Sequence, residues 1–253
     1  MDLGLQGRAV VVTGGSGGIG AAIARAYGAE GADVAIAYHG NRDAAEQVAA
    51  DAAKGGGRTL VVQHDLADPA SAGALATAVL DAFGRIDVLI NNAVHWGASA
   101  PDPSRRSEDV PDEQWLAVIR SNLEGALRTT RAVLPSMRSA GWGRLVHISS
   151  NLAVDGMSGS TYYGAAKAAL HGMNRSLAWE LGPVGVLTNV VMPGLTTTDK
   201  VETFPAAVLE RESEHTPTGR LNSPEDVAAT VVFLGSAANT AVTGAVVPAT
   251  GGR

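Results

Sequence analysis

Short runs of β-branched and aliphatic residues recur along the chain, and each is followed by an Ala-rich stretch with helical spacing. "RAVVVTGG" reads as a buried strand, and "IGAAIARAYGAEG" as a helix closed by Gly31. "ADVAIAYH" is a second strand, a helix over roughly 41–54 ends in "KGGG", and "RTLVVQHD" is a third strand. Asp68 is placed as the N-cap of the next helix, with Pro69 at its first position. "IDVLINNA", "RLVHISS", "VLTNVVMPG" and "TGAVVPATGG" supply the remaining strands. Ser223 and Pro224 open a clear late helix, "SPEDVAATVVFLGS". Continuous apolar strands separated by helices predict an α/β fold, a doubly wound parallel sheet of about seven strands with helices on both faces. No shift in composition marks a second unit, so residues 1–253 are expected to form a single domain. Two polar stretches follow strand C-termini, the edge where open α/β sheets bind ligands: 95–113, leading to a helix near Pro111, and a substrate loop over about 195–219.

Composition narrows the classes. With 45% hydrophobic residues the chain can bury a full core. A net charge of −6 argues against sequence-blind nucleic-acid binding. No apolar run approaches the ~20 residues that span a bilayer, and "MDLGLQGRAVVVTGG" lacks a secretory pattern. Without cysteine there are no disulfides, thiolate nucleophiles or Cys-ligated zinc. The six histidines are scattered, and no metal is expected. The expectation is a cytoplasmic protein with neither nucleic acid nor membrane as partner.

Chemistry enters with "VVVTGGSGGIGAAIA". Five glycines in seven residues weaken a helix start unless something must approach the backbone closely. Between a strand and a helix they make a phosphate cradle, because the helix N-terminus presents unpaired N–H groups to an anion. Two spacings fit: GxGxxG on Gly15, Gly17 and Gly20, or TGxxxGxG on Thr13, Gly14, Gly18 and Gly20. NAD-preferring Rossmann folds end the second strand in a carboxylate that holds the ribose 2′-OH. Here that strand ends "AIAYHGNR", with Asp33 at the wrong end. The missing acid permits a 2′-phosphate, which Arg42 or, less directly, His39 would neutralise. NADP(H) is therefore favoured over NAD(H).

A second feature is "SGSTYYGAAKAAL". Residues four apart share a helix face, which pairs Tyr163 with Lys167 and leaves Tyr162 with Ala166. A tyrosine is a poor acid at pH 7, and a nearby ammonium lowers its pKa toward working pH. "HISS" lies upstream, and its Ser150 can present a hydroxyl at the same sheet edge.

Together these residues resemble the short-chain dehydrogenases/reductases over nearly the whole chain. The resemblance rests on "TGGSGGIG", Asp65, "NNA", Asn122, Ser150, "YGAAK" and the "PG" of "VVMPGLTTT". The thirteen-residue interval from Ser150 to Tyr163 matches the family, and Ser149 or Tyr162 would break it. The resemblance implies a single-domain Rossmann fold. It implies that Tyr163 protonates a carbonyl oxygen as hydride arrives, or deprotonates an alcohol in reverse. Lys167 would lower the pKa of that phenol and hold the nicotinamide ribose. Ser150 would bind the reacting oxygen, and Asn122 would place a water in a proton relay to Lys167. The implied cofactor contacts begin with Gly14, Ser16, Gly18, Ile19 and Gly20 at the glycine turn. Tyr38, His39, Asn41 and Arg42 follow, then Asp65, facing the adenine, with Leu66. Asn91 would support the cofactor-side strand, beside Ala93. Pro193, Gly194, Thr196 and Thr198 would border the nicotinamide and its phosphates, although Thr198 also reads as a simple helix cap.

The departures are informative. The family's NNAG reads "NNAV", with Val94 in the glycine place, and its late "DGG" reads "TGG" with Thr250. The nearest likeness is to 3-oxoacyl-[acyl-carrier-protein] reductases, which place carrier-docking arginines where this chain has Gly141 and Trp179. A free small ketone or alcohol is thus favoured over a carrier-bound thioester. His95 and Trp96 either line the substrate pocket or pack the loop. A non-catalytic NAD(P)-binding sensor or scaffold is the alternative from another class, and a sensor has no need of a tuned phenol. The family usually assembles as tetramers through the helices that hold Asn122 and Tyr163, so a homotetramer, or a dimer, is expected.

Overall fold

The β-branched runs become seven strands of one parallel sheet in a computed structural model, which describes residues 2–97 and 104–253. They are β1 (Ala9–Thr13), β2 (Asp33–Tyr38), β3 (Thr59–Gln63), β4 (Val88–Asn91), β5 (Gly143–Ile148), β6 (Val186–Pro193) and β7 (Val246–Ala249). The strand order is β3-β2-β1-β4-β5-β6-β7, with every neighbouring pair parallel. The chain leaves β1 toward one edge and returns to β4 beside it, so a crevice opens past the C-termini of β1 and β4.

Side chains alternate across the sheet, which lets two layers share one set of strands. Val10, Val12 and Ile36 pack against α1 (Gly18–Ala29), α2 (Arg42–Ala52) and α9 (Pro224–Leu234) through Ile23, Val48 and Val231. Val11, Ala35 and Leu89 pack on the other face against α3 (Ser71–Phe83), α5 (Gly125–Ala140) and α6 (Thr161–Leu181), through Leu75, Val133 and Leu181. The doubly wound fold read from the sequence is the one observed.

Helix boundaries follow the caps with one correction. α3 starts at Ser71, not at Asp68 and Pro69. Asp68 instead closes a turn ahead of the helix: its Oδ1 accepts from the Ala70 N–H at 2.9 Å and its carbonyl from the Ser71 N–H at 3.2 Å. Asn41 caps α2, accepting from the Ala44 N–H at 3.1 Å. Ser223 and Asp226 form a full capping box at α9, with Pro224 in its first turn. After Pro111, α4 (Asp112–Ile119) passes through a π-helical turn, Arg120–Glu124, directly into α5. The segment 195–219 contains two short helices, α7 (Asp199–Glu202) and α8 (Ala206–Glu214). Part of the polar loop over 95–113 lies outside the described residues. Among the described residues no helix is long and apolar enough to cross a membrane, and no group of three or more His, Asp or Glu side chains could hold a metal ion.

Candidate active site

The glycine turn sits at the crevice between β1 and β4. Gly14 has φ +63°, and a Cβ there would fall 2.9 Å from the Ala93 Cα. A Cβ on Gly20 would lie 2.2 Å from the Gly14 carbonyl oxygen. Gly17, in contrast, is extended at φ −166°, and a Cβ there would meet nothing within 4 Å. The spacing TGxxxGxG is therefore the one the backbone uses. Asn92 locks the turn, its Nδ2 donating to the Thr13 and Gly14 carbonyls at 3.0 and 3.1 Å. Thr13 Oγ1 accepts from the Asn92 and Ala93 N–H groups at 3.0 Å each. Ser16 and Ile19 are half-buried beside the first turn of α1, whose unpaired N–H groups and close backbone approach suit a pyrophosphate. The residues present fit a dinucleotide.

Where β2 and β3 end, the Tyr38 carbonyl accepts from the His64 N–H at 2.7 Å, and His39 Nε2 lies 3.7 Å from Asp65 Oδ2. The acid absent from the end of β2 is thus matched by one at the end of β3. Arg42 is exposed and pairs with Glu46 at 2.7 Å. The pair is exposed and screened by solvent, so a phosphate competes easily for that guanidinium. Leu66 packs against Gly125, where a Cβ would meet it at 2.9 Å.

The β4 exit divides between support and mouth. Asn91 supports the strand with its side chain turned into the core, Nδ2 donating to Thr130 Oγ1 and to His147 Nδ1, each at 3.0 Å. Val94 is exposed. Asn122, buried in the π-helical turn, holds the His95 main chain at both ends: Nδ2 donates to its carbonyl at 2.6 Å, and Oδ1 accepts from its N–H at 3.2 Å. Its Nδ2 also donates to the Val118 carbonyl at 2.9 Å. The clamp aims Trp96 at the site. The indole stacks on the Tyr163 ring, with centroids 4.6 Å apart and planes at 18°.

Ser150, Tyr163 and Lys167 converge at the C-terminal edge of β5. Ser150 caps a short turn after the strand, and its Oγ accepts from the Leu152 N–H at 3.2 Å. Tyr163 is only 7% exposed. Burial pushes its phenol up, and a hydrogen bond with Ser150 pulls it down. Lys167 stands beside that ring, on the helix face the spacing predicts. Its Nζ lies 5.8 Å from the Tyr163 ring centroid and donates to the Ile148 carbonyl at 2.9 Å, because the end of β5 captures the ammonium. Burial lowers Lys167 to about 8.

Pro193 ends β6, and the Gly194 N–H donates to the Ala249 carbonyl at 3.1 Å. Thr250 closes over that glycine, its Cα 3.3 Å from where a Cβ would stand. Thr196 Oγ1 donates to the Gly194 carbonyl at 3.0 Å. Thr198 caps α7 through its backbone, and its methyl faces Gly18 at the glycine turn. Sequence patterns alone do not single out Asn92, although it stands inside "NNA". Nor do they single out Lys200, whose Nζ sits 5.1 Å from the Trp96 ring centroid.

Residues 14–253 match the family model described as Enoyl-(Acyl carrier protein) reductase. The 3-oxoacyl-[acyl-carrier-protein] reductase of Pseudomonas aeruginosa is 37% identical over 251 residues, covering 98% of each chain. The chain belongs to the short-chain dehydrogenases/reductases. It is therefore an oxidoreductase of a family that uses NAD(P). An acetoacetyl-CoA reductase of Shinella zoogloeoides is 38% identical over 97% of this chain and 98% of its own. A solved short-chain dehydrogenase/reductase from Serratia marcescens BCRC 10948 superposes with a TM-score of 0.89 at 29% identity, covering 98% of both chains.

Proposed function

We propose that this short-chain dehydrogenase/reductase is an NADP(H)-dependent carbonyl reductase acting on a small free ketone, or on the secondary alcohol in reverse, with the whole chain working as one domain. The convergence of Ser150, Tyr163 and Lys167 beside the glycine turn carries the reading. The bound nicotinamide supplies or accepts the hydride. Ser150 and Tyr163 orient the substrate oxygen with their hydroxyls, and the Tyr163 proton passes to that oxygen as the carbonyl carbon becomes saturated. Burial keeps the phenol protonated until then. Lys167 provides the neighbouring positive charge that stabilises the phenolate left behind. Asp65 and Leu66 would hold the adenine, and Arg42 would leave Glu46 to hold the 2′-phosphate. His95 and Trp96 form the substrate mouth.

A second reading, 3-oxoacyl-[acyl-carrier-protein] reductase, is favoured by the 37% identity to such an enzyme. Against it, Trp179 is 82% exposed where a carrier-docking arginine is expected. Gly141 closes α5 at φ +61°, a conformation that disfavours arginine. NADPH oxidation is to be followed with free ketones, diketones, quinones and a carrier-bound acetoacetyl thioester. Turnover of the free ketones with little on the thioester supports the first reading, and the reverse order replaces it with the second. Cytoplasmic residence and assembly as a homotetramer through α5 and α6 belong to the same reading. Leu127 and Trp179, exposed on those helices, would be covered, which light scattering tests.

A further inference from the structure

The segment between residues 196 and 222 leaves the sheet and returns to it. Thr196 and Asn222 form an isolated parallel bridge at its root, where the Thr197 N–H donates to the Asn222 carbonyl at 2.9 Å. The excursion carries α7 and α8, and neither helix contains a fully buried residue. Glu212 on α8 pairs with Arg253. On the active-site side, Lys200 of α7 holds its ammonium over the Trp96 ring, 5.1 Å from its centroid, and the same ring stacks on Tyr163.

The column from Lys200 through Trp96 to Tyr163 joins the excursion to the phenol by two face contacts. Each is favourable: cations prefer the indole face, and offset aromatic stacks prefer the separation seen here. Trp96 does not hang free, because Asn122 fixes the preceding residue at both its N–H and its carbonyl. Tyr163 is 7% exposed, and the indole stacked on its ring holds that ring in one plane for the substrate oxygen.

We propose that Lys200 is a positioning residue that latches the 196–222 excursion onto Trp96, and that Trp96 transmits the closure to Tyr163. The proposal rests on Tyr163 being the proton donor, and it adds a specific partner for the excursion. Lys200 touches no reacting atom. It acts only through the indole, so its effect must vanish when the indole is gone.

The test compares Lys200→Met, Lys200→Arg, Trp96→Ala, Trp96→Phe and the Lys200→Met/Trp96→Ala double variant. Lys200→Met is expected to lower kcat about fivefold and to speed hydrogen exchange of amides 197–214, with NADPH affinity unchanged by fluorescence titration. Lys200→Arg retains both properties, since a guanidinium also stacks on indole. Trp96→Ala matches or exceeds the loss and Trp96→Phe restores part of it. The double variant should be no worse than Trp96→Ala alone. Additive losses in the double variant, or unchanged exchange in Lys200→Met, overturn the latch. Should Tyr163→Phe keep full turnover, the donor assignment fails instead, while the exchange data still report whether Lys200 holds the excursion.

Discussion

Tyr162 and Tyr163 are adjacent in α6 and face different partners. Tyr162 stacks on Trp115 with ring centroids 5.5 Å apart and donates its hydroxyl to the Ser107 carbonyl at 2.9 Å. Tyr163 stacks on Trp96 and bonds with Ser150. One helical step of about 100° separates a side chain that pins the loop before α4 from one at the sheet edge.

That divergence sets the first prediction. Tyr163→Phe removes the only proton the ring can give and should cut kcat by at least about a hundredfold, with NADPH binding retained. Tyr162→Phe loses one exposed hydrogen bond, worth about 1 kcal/mol, and should keep turnover within a few fold. Steady-state kinetics with fluorescence titration of NADPH decide it, and equal loss in both variants contradicts the assignment.

The second prediction concerns the cofactor. kcat/KM is expected to be higher with NADPH than with NADH, because β2 ends without a carboxylate and Arg42 is exposed, held by Glu46 with the Tyr38 hydroxyl beside it. Gly17 offers a way to strengthen the preference. Its backbone is extended and its surroundings are open, so a side chain is tolerated there. Gly17→Arg places a guanidinium at the glycine turn and should raise the NADPH-to-NADH ratio of kcat/KM about tenfold, with Tm nearly unchanged. A preference for NADH in the parent protein contradicts the cofactor reading outright.

The parallel sheet was legible because buried strands of this kind are continuous apolar runs with turn residues between them. Tyr163 and Lys167 were legible because their spacing is local to one helix. What escaped depends on contacts between distant segments. Lys200 meets Trp96 only because the excursion folds back over the β4 exit. The Asn92 clamp on Gly14 requires β1 and β4 to be neighbours, which no local pattern states. The same holds for Asn122, whose polar side chain in a helix gave no sign that it would grip the His95 main chain. Lys167 shows the limit of spacing itself: the i,i+4 rule placed it on the right face, but the Ile148 carbonyl decided where its ammonium points.

His147 supplies the third prediction. It is fully buried in β5 and accepts from Asn91 Nδ2 at Nδ1, so its ring proton is assigned to Nε2, which donates to Thr188 Oγ1 at 3.3 Å. Thr188 then donates to Asn174 Oδ1 at 2.8 Å. The charged form is disfavoured by burial first and by Lys167 second, which lowers the pKa to about 4. A folded-state pKa below the unfolded value gives stability that is present above about pH 6.5 and is lost as pH falls toward 4. The protein should therefore lose up to about 3 kcal/mol between those limits through this residue. His147→Asn keeps an acceptor for Asn91 but cannot titrate, and should flatten that part of the profile. Urea midpoints of both proteins at pH 7 and pH 4 measure it; parallel profiles contradict the assignment.

Lys167 carries the last prediction, in which a residue of the active site costs stability. Its ammonium is buried, with one carbonyl bond to Ile148, and its pKa is lowered to about 8. Below that value the folded protein holds a desolvated cation, whereas the unfolded chain carries the same charge in water. The unfolded state binds more protons between about pH 8 and the ordinary lysine value, so stability rises across that window. At neutral pH the penalty is fully present and amounts to at most about 3 kcal/mol, offset by roughly 1 kcal/mol for the Ile148 bond. Lys167→Met keeps the stem and removes the charge. It should abolish turnover yet raise the Tm of the cofactor-free protein by several degrees at pH 7, with the gain shrinking toward pH 10. It should also move the His147 titration upward, because the second cause of its depression is gone. Thermal melts across pH 6–10 read the first effect and histidine NMR titration the second. A variant less stable than its parent at pH 7 contradicts the electrostatic account of the site.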